Sequence, residues 1–219
     1  MSHLHVFPPN FPVPPVADLP LQNARRWLSP GEEQGFLPNI PLIVAQEAYV
    51  RLVEHAASDL ELEVGGALVG ILSIDRQSRS QFILVEAALP ARFTRQGSHH
   101  LTFTQDSLVE LHNEMDEAFP GKQIVGWYHT HPGLGVFLSP HDTWLHNNFF
   151  PEPWQVALVI DPLAETGGFF IRLPDGVLDP LRSFGFYELE GKSHPGIVRW
   201  KNLQPEPDDT RRTGVELNE

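Results

Sequence analysis

The sequence predicts an α/β or α+β fold in which helices pack on the faces of one β-sheet. Stretches with apolar residues at steps of three and four are typical of amphipathic helices, and several short apolar runs are typical of buried strands. These patterns follow one another as helix, two strands, helix, strand, helix and further strands. The chain has 219 residues, enough for one sizeable core, so we expect one domain with extensions at its ends.

Each element is predicted from a local pattern. The first helix lies within residues 40–60, where Tyr49 and Leu52 belong to an apolar face. The second helix has Thr104 as its N-cap and ends before Pro120, and the third begins after a glycine-rich loop. In chain order the other assignments are strands at 62–72 and 81–89, the second helix at 104–119, a strand at 123–131, the third helix at 139–150, and strands at 154–161, 167–173 and 184–189.

Both ends of the chain are predicted to lie outside this domain, which we place at residues 42–190. Nine of the 21 prolines fall in residues 1–41, which form a Pro-rich arm that cannot continue a helix. The sequence leaves open whether this arm lies against the domain or is loosely attached. Residues 191–219 are a polar, acidic tail, and we expect no structure from about Lys201 onward.

Composition excludes several classes of function. The chain has no cysteine, which removes disulfides, thiolate nucleophiles and Cys-based zinc sites, so a metal would bind to His, Asp or Glu. A formal net charge of -13 repels phosphate backbones and anionic lipids, so neither nucleic acid nor a membrane is an expected partner. Because the sequence shows no transmembrane run and no secretory signal, we expect a cytoplasmic protein.

The segment GWYHTHPGLGVFLSPHD, residues 126–142, carries the candidate chemistry. Side chains two apart on a strand point to the same side, so His129 and His131 can present ring nitrogens to one metal ion. A catalytic zinc takes three protein ligands and leaves the fourth position to water, whose pKa then falls to about 7. Asp142, eleven residues after His131, is the predicted third ligand.

Two further residues complete the predicted site. Such a site needs a base that does not ligate the metal, and we assign this role to Glu63, because a carboxylate entering a buried strand is hard to explain by packing. Ser139 could donate its hydroxyl to the oxyanion that forms when a carbonyl is attacked. The same letters, SPHD, also match a helix start, with Ser139 as N-cap and Asp142 favouring the helix dipole. Capping and catalysis are compatible, and both stay open here.

Other residues receive structural predictions. Trp127 is predicted to lie in the core, and Phe137 at the rim of the cleft. His99 and His100 are placed in a solvent-exposed loop before the second helix. The remaining histidines outside the motif are predicted to be surface or helix-face residues: His3, His5, His55, His112, His146 and His194.

The motif residues resemble those of the JAMM, or MPN-plus, zinc metalloproteases. That family's motif is an upstream Glu followed by His-Ser/Thr-His-x7-Ser-x2-Asp, and it is complete in this chain. VGWYHTHPGLGVFLS looks like the segment found in the catalytic deubiquitinating subunits of the proteasome lid and the signalosome. LEVGGALVG and VALVIDP are similar to neighbouring strands there. The resemblance covers about residues 42–190 and implies a deaminase-like α/β sandwich with a central mixed β-sheet flanked by helices.

The resemblance also implies an activity, that of a zinc metalloprotease or isopeptidase. Zinc would be held by His129, His131 and Asp142, with Glu63 polarising the catalytic water and Ser139 stabilising the tetrahedral intermediate. The expected substrate is the C-terminal Gly-Gly of ubiquitin or a ubiquitin-like protein, whose extended tail adds as a strand beside the site. The compact chain looks like a stand-alone prokaryotic member, whose bacterial relatives often accompany activating and conjugating enzymes.

Two alternatives remain open. A JAMM peptidase could instead process a sulfur-carrier protein, because such carriers also end in Gly-Gly. The other alternative is a non-catalytic MPN-minus scaffold, although those relatives usually lack several ligands and this chain lacks none. Val136 stands where eukaryotic members often have cysteine, so we expect no cysteine-dependent gating of the site.

Overall fold

The computed structural model describes residues 13–32, 38, 40–91, 94–97, 100–103, 105–190 and 195–207. The helices are α1 (Gln46–Ala56), α2 (Gln105–Ala118) and α3 (Pro140–Phe149). The strands are β1 (Val16–Ala17), β2 (Arg25–Leu28), β3 (Leu42–Val44), β4 (Gly65–Asp75), β5 (Gln81–Pro90), β6 (Thr94–Gly97), β7 (His100–Phe103), β8 (Gln123–Thr130), β9 (Val156–Asp161), β10 (Thr166–Phe170), β11 (Phe186–Glu188) and β12 (Gln204–Pro205).

One mixed sheet organises the described residues. Its strand order is β10-β9-β8-β4-β5-β3-β11-β2-β12, and β1 pairs with the C-terminal end of β4. The pairs β8–β9, β3–β5 and β3–β11 are parallel, whereas β4 is antiparallel to both β5 and β8. β8 therefore lies in the interior of the sheet, where both of its edges are hydrogen-bonded.

Side chains alternate between two cores, one on each face of the sheet. The first core includes Tyr49 and Leu52 of α1. The second includes Leu111 of α2 and Leu145 of α3. The predicted fold class, a mixed sheet flanked by helices, is confirmed. None of the helices in the described ranges combines the length and apolar character needed to cross a membrane.

One strand was not predicted, and two local predictions are wrong. The first helix lies within residues 40–60, as predicted, but Leu42–Val44 before it forms the buried strand β3, because it pairs with strands on both of its edges. His100, predicted in a loop before the second helix, begins β7, which pairs with β6. Residues 195–205 of the tail are structured, because Trp200 and Leu203 are buried in the first core and β12 pairs with β2.

The part of the N-terminal arm that the structure describes lies against the domain, which was one of the two alternatives. β2 lies between β11 and β12. Trp27 Nε1 donates a hydrogen bond of 2.8 Å to the buried carboxylate of Glu188. Glu32, also buried, accepts from the backbone nitrogens of Ser29 at 2.8 Å and Gly185 at 2.6 Å. The predictions for His3, His5, His99, Thr104 and His194 concern residues outside the described ranges.

Candidate metal centre

The end of β8 brings the two motif histidines together. His129 and His131 are 0% and 3% exposed, and their Nε2 atoms lie 3.0 Å apart. The backbone nitrogen of His131 donates to the carbonyl of Ile160 at the end of β9, at 2.8 Å. The strand on each side of β8 therefore restrains the backbone that carries both rings.

The segment before β4 places Glu63 beside these rings. The backbone nitrogen of Val64 donates to Oγ1 of Thr130 at 2.9 Å, and the nitrogen of Thr130 donates to the carbonyl of Val64 at 2.8 Å. This reciprocal pair holds Glu63 at the end of β8. The Glu63 side chain is buried, and its Oε1 lies 4.0 Å from Nε2 of His131.

Gly65 permits a close approach of β4 and β8. It pairs with His129 across the antiparallel ladder. A Cβ atom at Gly65 would lie 2.4 Å from the carbonyl oxygen of Tyr128 and 3.2 Å from Cα of His129. Any larger residue would therefore push apart the two strands that carry Glu63 and the histidines.

The start of α3 supplies the third member of the group. Ser139 is the N-cap, and its Oγ accepts from the backbone nitrogen of Asp142 at 3.1 Å. Oδ2 of Asp142 accepts in return from the backbone nitrogen of Ser139 at 2.7 Å, which completes a capping box. The capping prediction is confirmed. A hydroxyl group both accepts and donates, so accepting the cap bond does not by itself prevent Ser139 from donating a hydrogen bond.

The ligand atoms of His129, His131 and Asp142 converge on one point. Oδ1 of Asp142 lies 3.4 Å from Nε2 of His129, and Oδ2 lies 3.5 Å from Nε2 of His131. Zinc bonds of about 2.0–2.1 Å at tetrahedral angles separate neighbouring ligand atoms by about 3.3 Å. The distance of 3.0 Å between the two Nε2 atoms and the distance from each Nε2 to its nearer carboxylate oxygen are close to this value, so the three residues can hold a metal ion. Among the described residues, no other His, Cys, Asp and Glu side chains form such a group.

The histidines keep Asp142 ionised. Burial alone would raise the pKa of Asp142, but contacts with His129, His131 and Ser139 outweigh it and hold that pKa well below its usual range. A carboxylate that stays charged across the physiological range is the form that binds a divalent cation. The site thus offers two imidazoles and one anion.

Comparison with known proteins identifies the domain. The family model described as JAB1/Mov34/MPN/PAD-1 ubiquitin protease matches residues 41–150, half of the chain. The chain belongs to this family. The matched range contains every residue of the JAMM motif, from Glu63 to Asp142.

Named relatives match parts of the chain. COP9 signalosome complex subunit 5 of Caenorhabditis elegans is 30% identical over 169 residues, 73% of this chain and 43% of that protein. The subunit 5 of Dictyostelium discoideum is 30% identical over 141 residues, 61% and 41% of the two chains. The NAD(+) hydrolase TcpA of a Theionarchaea archaeon is 35% identical over 103 residues, 47% and 28%. The chain spans less than half the length of each of these relatives.

A solved structure is also similar. A protein of Desulfitobacterium hafniense aligns with 71% of this chain and 99% of that chain, at 23% identity and a TM-score of 0.49.

Asp161 holds the loop between the candidate ligands of this JAMM domain, and the sequence analysis did not predict it. Its Oδ1 accepts from the backbone nitrogen of Gly133 at 2.9 Å and from those of Leu163 and Ala164 at 3.0 Å, and its Oδ2 accepts from Gly135 at 2.9 Å. The available signal was an acid at the end of a buried apolar strand. Such a carboxylate needs partners, and glycine backbone amides in the loop provide them.

Behind the candidate ligands of this JAMM domain lies a second group that the sequence did not predict. Trp127 is in the core, as predicted, but its Nε1 donates to Nδ1 of His146 at 3.1 Å. His146 lies on α3, as one of its two predicted alternatives has it, but it is 0% exposed, so the surface alternative is wrong. Burial, together with the nearby charge of Arg172, lowers the pKa of His146 to about 3, so this ring is neutral. Phe137, predicted at the rim, contacts the His131 ring with centroids 4.8 Å apart.

Proposed function

We propose that this chain is a zinc-dependent isopeptidase that cleaves after the C-terminal Gly-Gly of a ubiquitin-like protein. The observation that carries the proposal is the convergence of two imidazoles and one carboxylate within metal-binding distance of one another, with a further buried carboxylate beside them. This donor set, three protein ligands of His and Asp, is that of a catalytic zinc site.

Each residue of the group has a distinct role in this proposal. Zinc would be held by His129, His131 and Asp142. When bound, it would act as a Lewis acid on water and on the scissile carbonyl. Glu63 takes a proton from the attacking water and returns it to the leaving amine, since its carboxylate lies near the ligands without belonging to the convergent group. Ser139 donates its hydroxyl proton to the oxyanion that develops on the carbonyl.

The substrate class rests on the relatives. The matching family model is described as a ubiquitin protease, and several relatives are subunits of the COP9 signalosome. These names support a ubiquitin-like protein as the substrate; its extended Gly-Gly tail, and activating and conjugating enzymes as further partners, are parts of the proposal. A cytoplasmic location is part of the same proposal.

A cleavage assay on a ubiquitin-like protein fused through Gly-Gly to a reporter tests the activity. Wild-type protein loaded with Zn²⁺ should release the reporter, a metal chelator should abolish release, and added Zn²⁺ should restore it. Glu63→Gln should lower kcat by at least about 100-fold, the usual contribution of a general base, while the bound zinc stays stoichiometric.

Glu61→Gln is the matched control, because Glu61 is exposed and lies two residues before Glu63. It should cleave at the wild-type rate. Full cleavage by Glu63→Gln with zinc bound would contradict the role of Glu63, and cleavage that resists the chelator would contradict the metal mechanism. Wild-type protein that binds zinc and cleaves no Gly-Gly fusion would contradict the proposed substrate.

A further inference from the structure

The ring of His129 is oriented in an uncommon way. A ligating imidazole usually donates its second N–H to a carboxylate or carbonyl, which fixes the plane of the ring. Nδ1 of His129 is buried and has no hydrogen-bond partner among the described residues. Its ring instead lies flat on the indole of Trp127, with centroids 4.6 Å apart and planes 8° apart. The orientation of this ligand therefore depends on where Trp127 is held.

His146 holds the indole in place. The hydrogen bond from Trp127 Nε1 to His146 Nδ1 joins two fully buried side chains, so water cannot substitute for either partner. The indole also stacks on Phe150, with centroids 5.9 Å apart and planes 14° apart. Because an indole N–H can only donate, Nδ1 of His146 accepts and the neutral ring carries its proton on Nε2.

The same helix carries His146 and the third candidate ligand. His146 follows Asp142 by four residues in α3, so the two side chains lie on one face, one turn apart. At the far end of α3, Arg172 donates to the carbonyl of Phe150 at 3.1 Å and to that of Glu152 at 2.9 Å. The hydrogen bond between His146 and Trp127 therefore connects α3 to β8 at a point one helical turn from Asp142.

We infer that Trp127 and His146 form a positioning pair for the metal centre. Stacking on Trp127 sets the plane of the His129 ring, and the hydrogen bond to His146 sets the distance between β8 and α3, so that Asp142 meets the two imidazoles. His146 acts through Trp127 and is a positioning residue. This inference rests on the proposed metal centre.

Metal binding by variants of His146 tests the inference. His146→Leu fills the buried site with an apolar side chain and removes the hydrogen-bond acceptor. It should weaken Zn²⁺ binding about 10- to 100-fold, the usual effect of losing a residue that positions a metal ligand. It should also shift the visible absorption bands of Co²⁺-loaded protein, which report ligand geometry. His146→Asn places a carbonyl oxygen near the position of Nδ1 and should recover both the affinity and the spectrum. The control His112→Leu replaces an exposed histidine on α2 and should match wild type.

Trp127→Phe gives an independent measurement, since it keeps an aromatic ring and removes the N–H. It should weaken Zn²⁺ binding, and adding His146→Leu to it should cause little further loss, because both changes break the same hydrogen bond. Folded His146→Leu or Trp127→Phe with wild-type affinity and an unchanged Co²⁺ spectrum would overturn the inference. If His146→Leu does not fold, Trp127→Phe and His146→Asn decide. Failure of wild type to bind Zn²⁺ or Co²⁺ would instead overturn the metal centre, and this inference with it.

Discussion

Asp142 makes two kinds of contact with one carboxylate. Its Oδ2 closes the capping box of α3 through the backbone nitrogen of Ser139, and both of its oxygens face the imidazoles of His129 and His131. A carboxylate has about four lone-pair directions, so the cap and the ligand group do not compete for them. At this scale, the start of a helix also determines where a candidate ligand points.

Replacing Ser139 separates its capping contact from its proposed catalytic role. Ser139→Ala should lower the free energy of unfolding by about 1 kcal/mol, whereas Ser139→Gly should cost only a few tenths, because glycine is an acceptable N-cap. Both variants lack the hydroxyl, so both should lower kcat by about 100- to 1000-fold with zinc retained. Thermal unfolding and cleavage kinetics measure the two effects. A zinc-loaded Ser139→Gly variant with wild-type kcat would show that the Ser139 hydroxyl does not stabilise the oxyanion.

At the scale of elements, the loop from β8 to α3 is fixed at both of its ends. Asp161 binds the backbone of the loop near β8, and the capping box fixes its end at α3. Gly133 and Gly135 have φ values of 72° and 89°, a region that favours glycine, so this loop conformation depends on those two residues. The ligands on either side of the loop keep their spacing because its turn is held by one buried carboxylate.

The same carboxylate makes stability depend on pH. Burial alone would raise the pKa of Asp161, but hydrogen bonds from four backbone nitrogens outweigh it and lower that pKa. The pKa of an Asp in the unfolded chain is about 4. Because the folded-state pKa of Asp161 is lower, its carboxylate stabilises the fold fully at pH values above about 4, and this stabilisation is lost as the pH falls through the folded-state pKa. Asp161→Asn should therefore reduce the unfolding free energy at pH 7 by about 2 kcal/mol. It should also flatten the decline of Tm below about pH 5.

Thermal unfolding between pH 3 and pH 8 measures this difference. Asp175→Asn, on an exposed turn, controls for the loss of one negative charge. Parallel Tm profiles for wild type and Asp161→Asn would contradict the assigned role of the carboxylate.

At the scale of the whole molecule, the folded unit extends beyond the residues that the family model matches. β2 and β12 come from the two ends of the chain and complete one edge of the sheet. Buried carboxylates hold these ends: Glu188 accepts from Trp27, Gln46 and the backbone of Ile197, and Glu32 pairs with Arg26. The N-terminal segment is therefore part of the packed structure and is expected to contribute to its stability.

Glu32→Gln tests this contribution. The change leaves the buried guanidinium of Arg26 without its counter-charge, so it should lower the free energy of unfolding by about 3–5 kcal/mol. Glu54→Gln is the matched control, because Glu54 is exposed and lies 3.9 Å from Arg51, and it should cost less than about 1 kcal/mol. Chemical denaturation measures both values. Equal stabilities for the two variants would show that the N-terminal segment contributes little.

The sequence alone determined the local features of this protein. Apolar periodicity predicts α2, the capping sequence predicts α3, and short apolar runs predict β4, β5, β8 and β9, and each of these signals depends only on neighbouring residues. The motif spacing named His129, His131 and Asp142 as one group, because a strand and a capped helix start have predictable side-chain directions. Glu63 needed the family resemblance as well, since no local pattern links it to β8.

Only the tertiary structure decided which distant residues meet. Register between β4 and β8 brings Glu63 to His131, and the parallel pairing of β9 with β8 brings Asp161 to the loop. A buried His146 could not be distinguished from an exposed one, because its partner Trp127 lies on another element. β2 was missed for the same reason, since its neighbours β11 and β12 lie far along the chain. Periodicity reports which side of an element is buried, whereas strand pairing and helix docking determine what it is buried against.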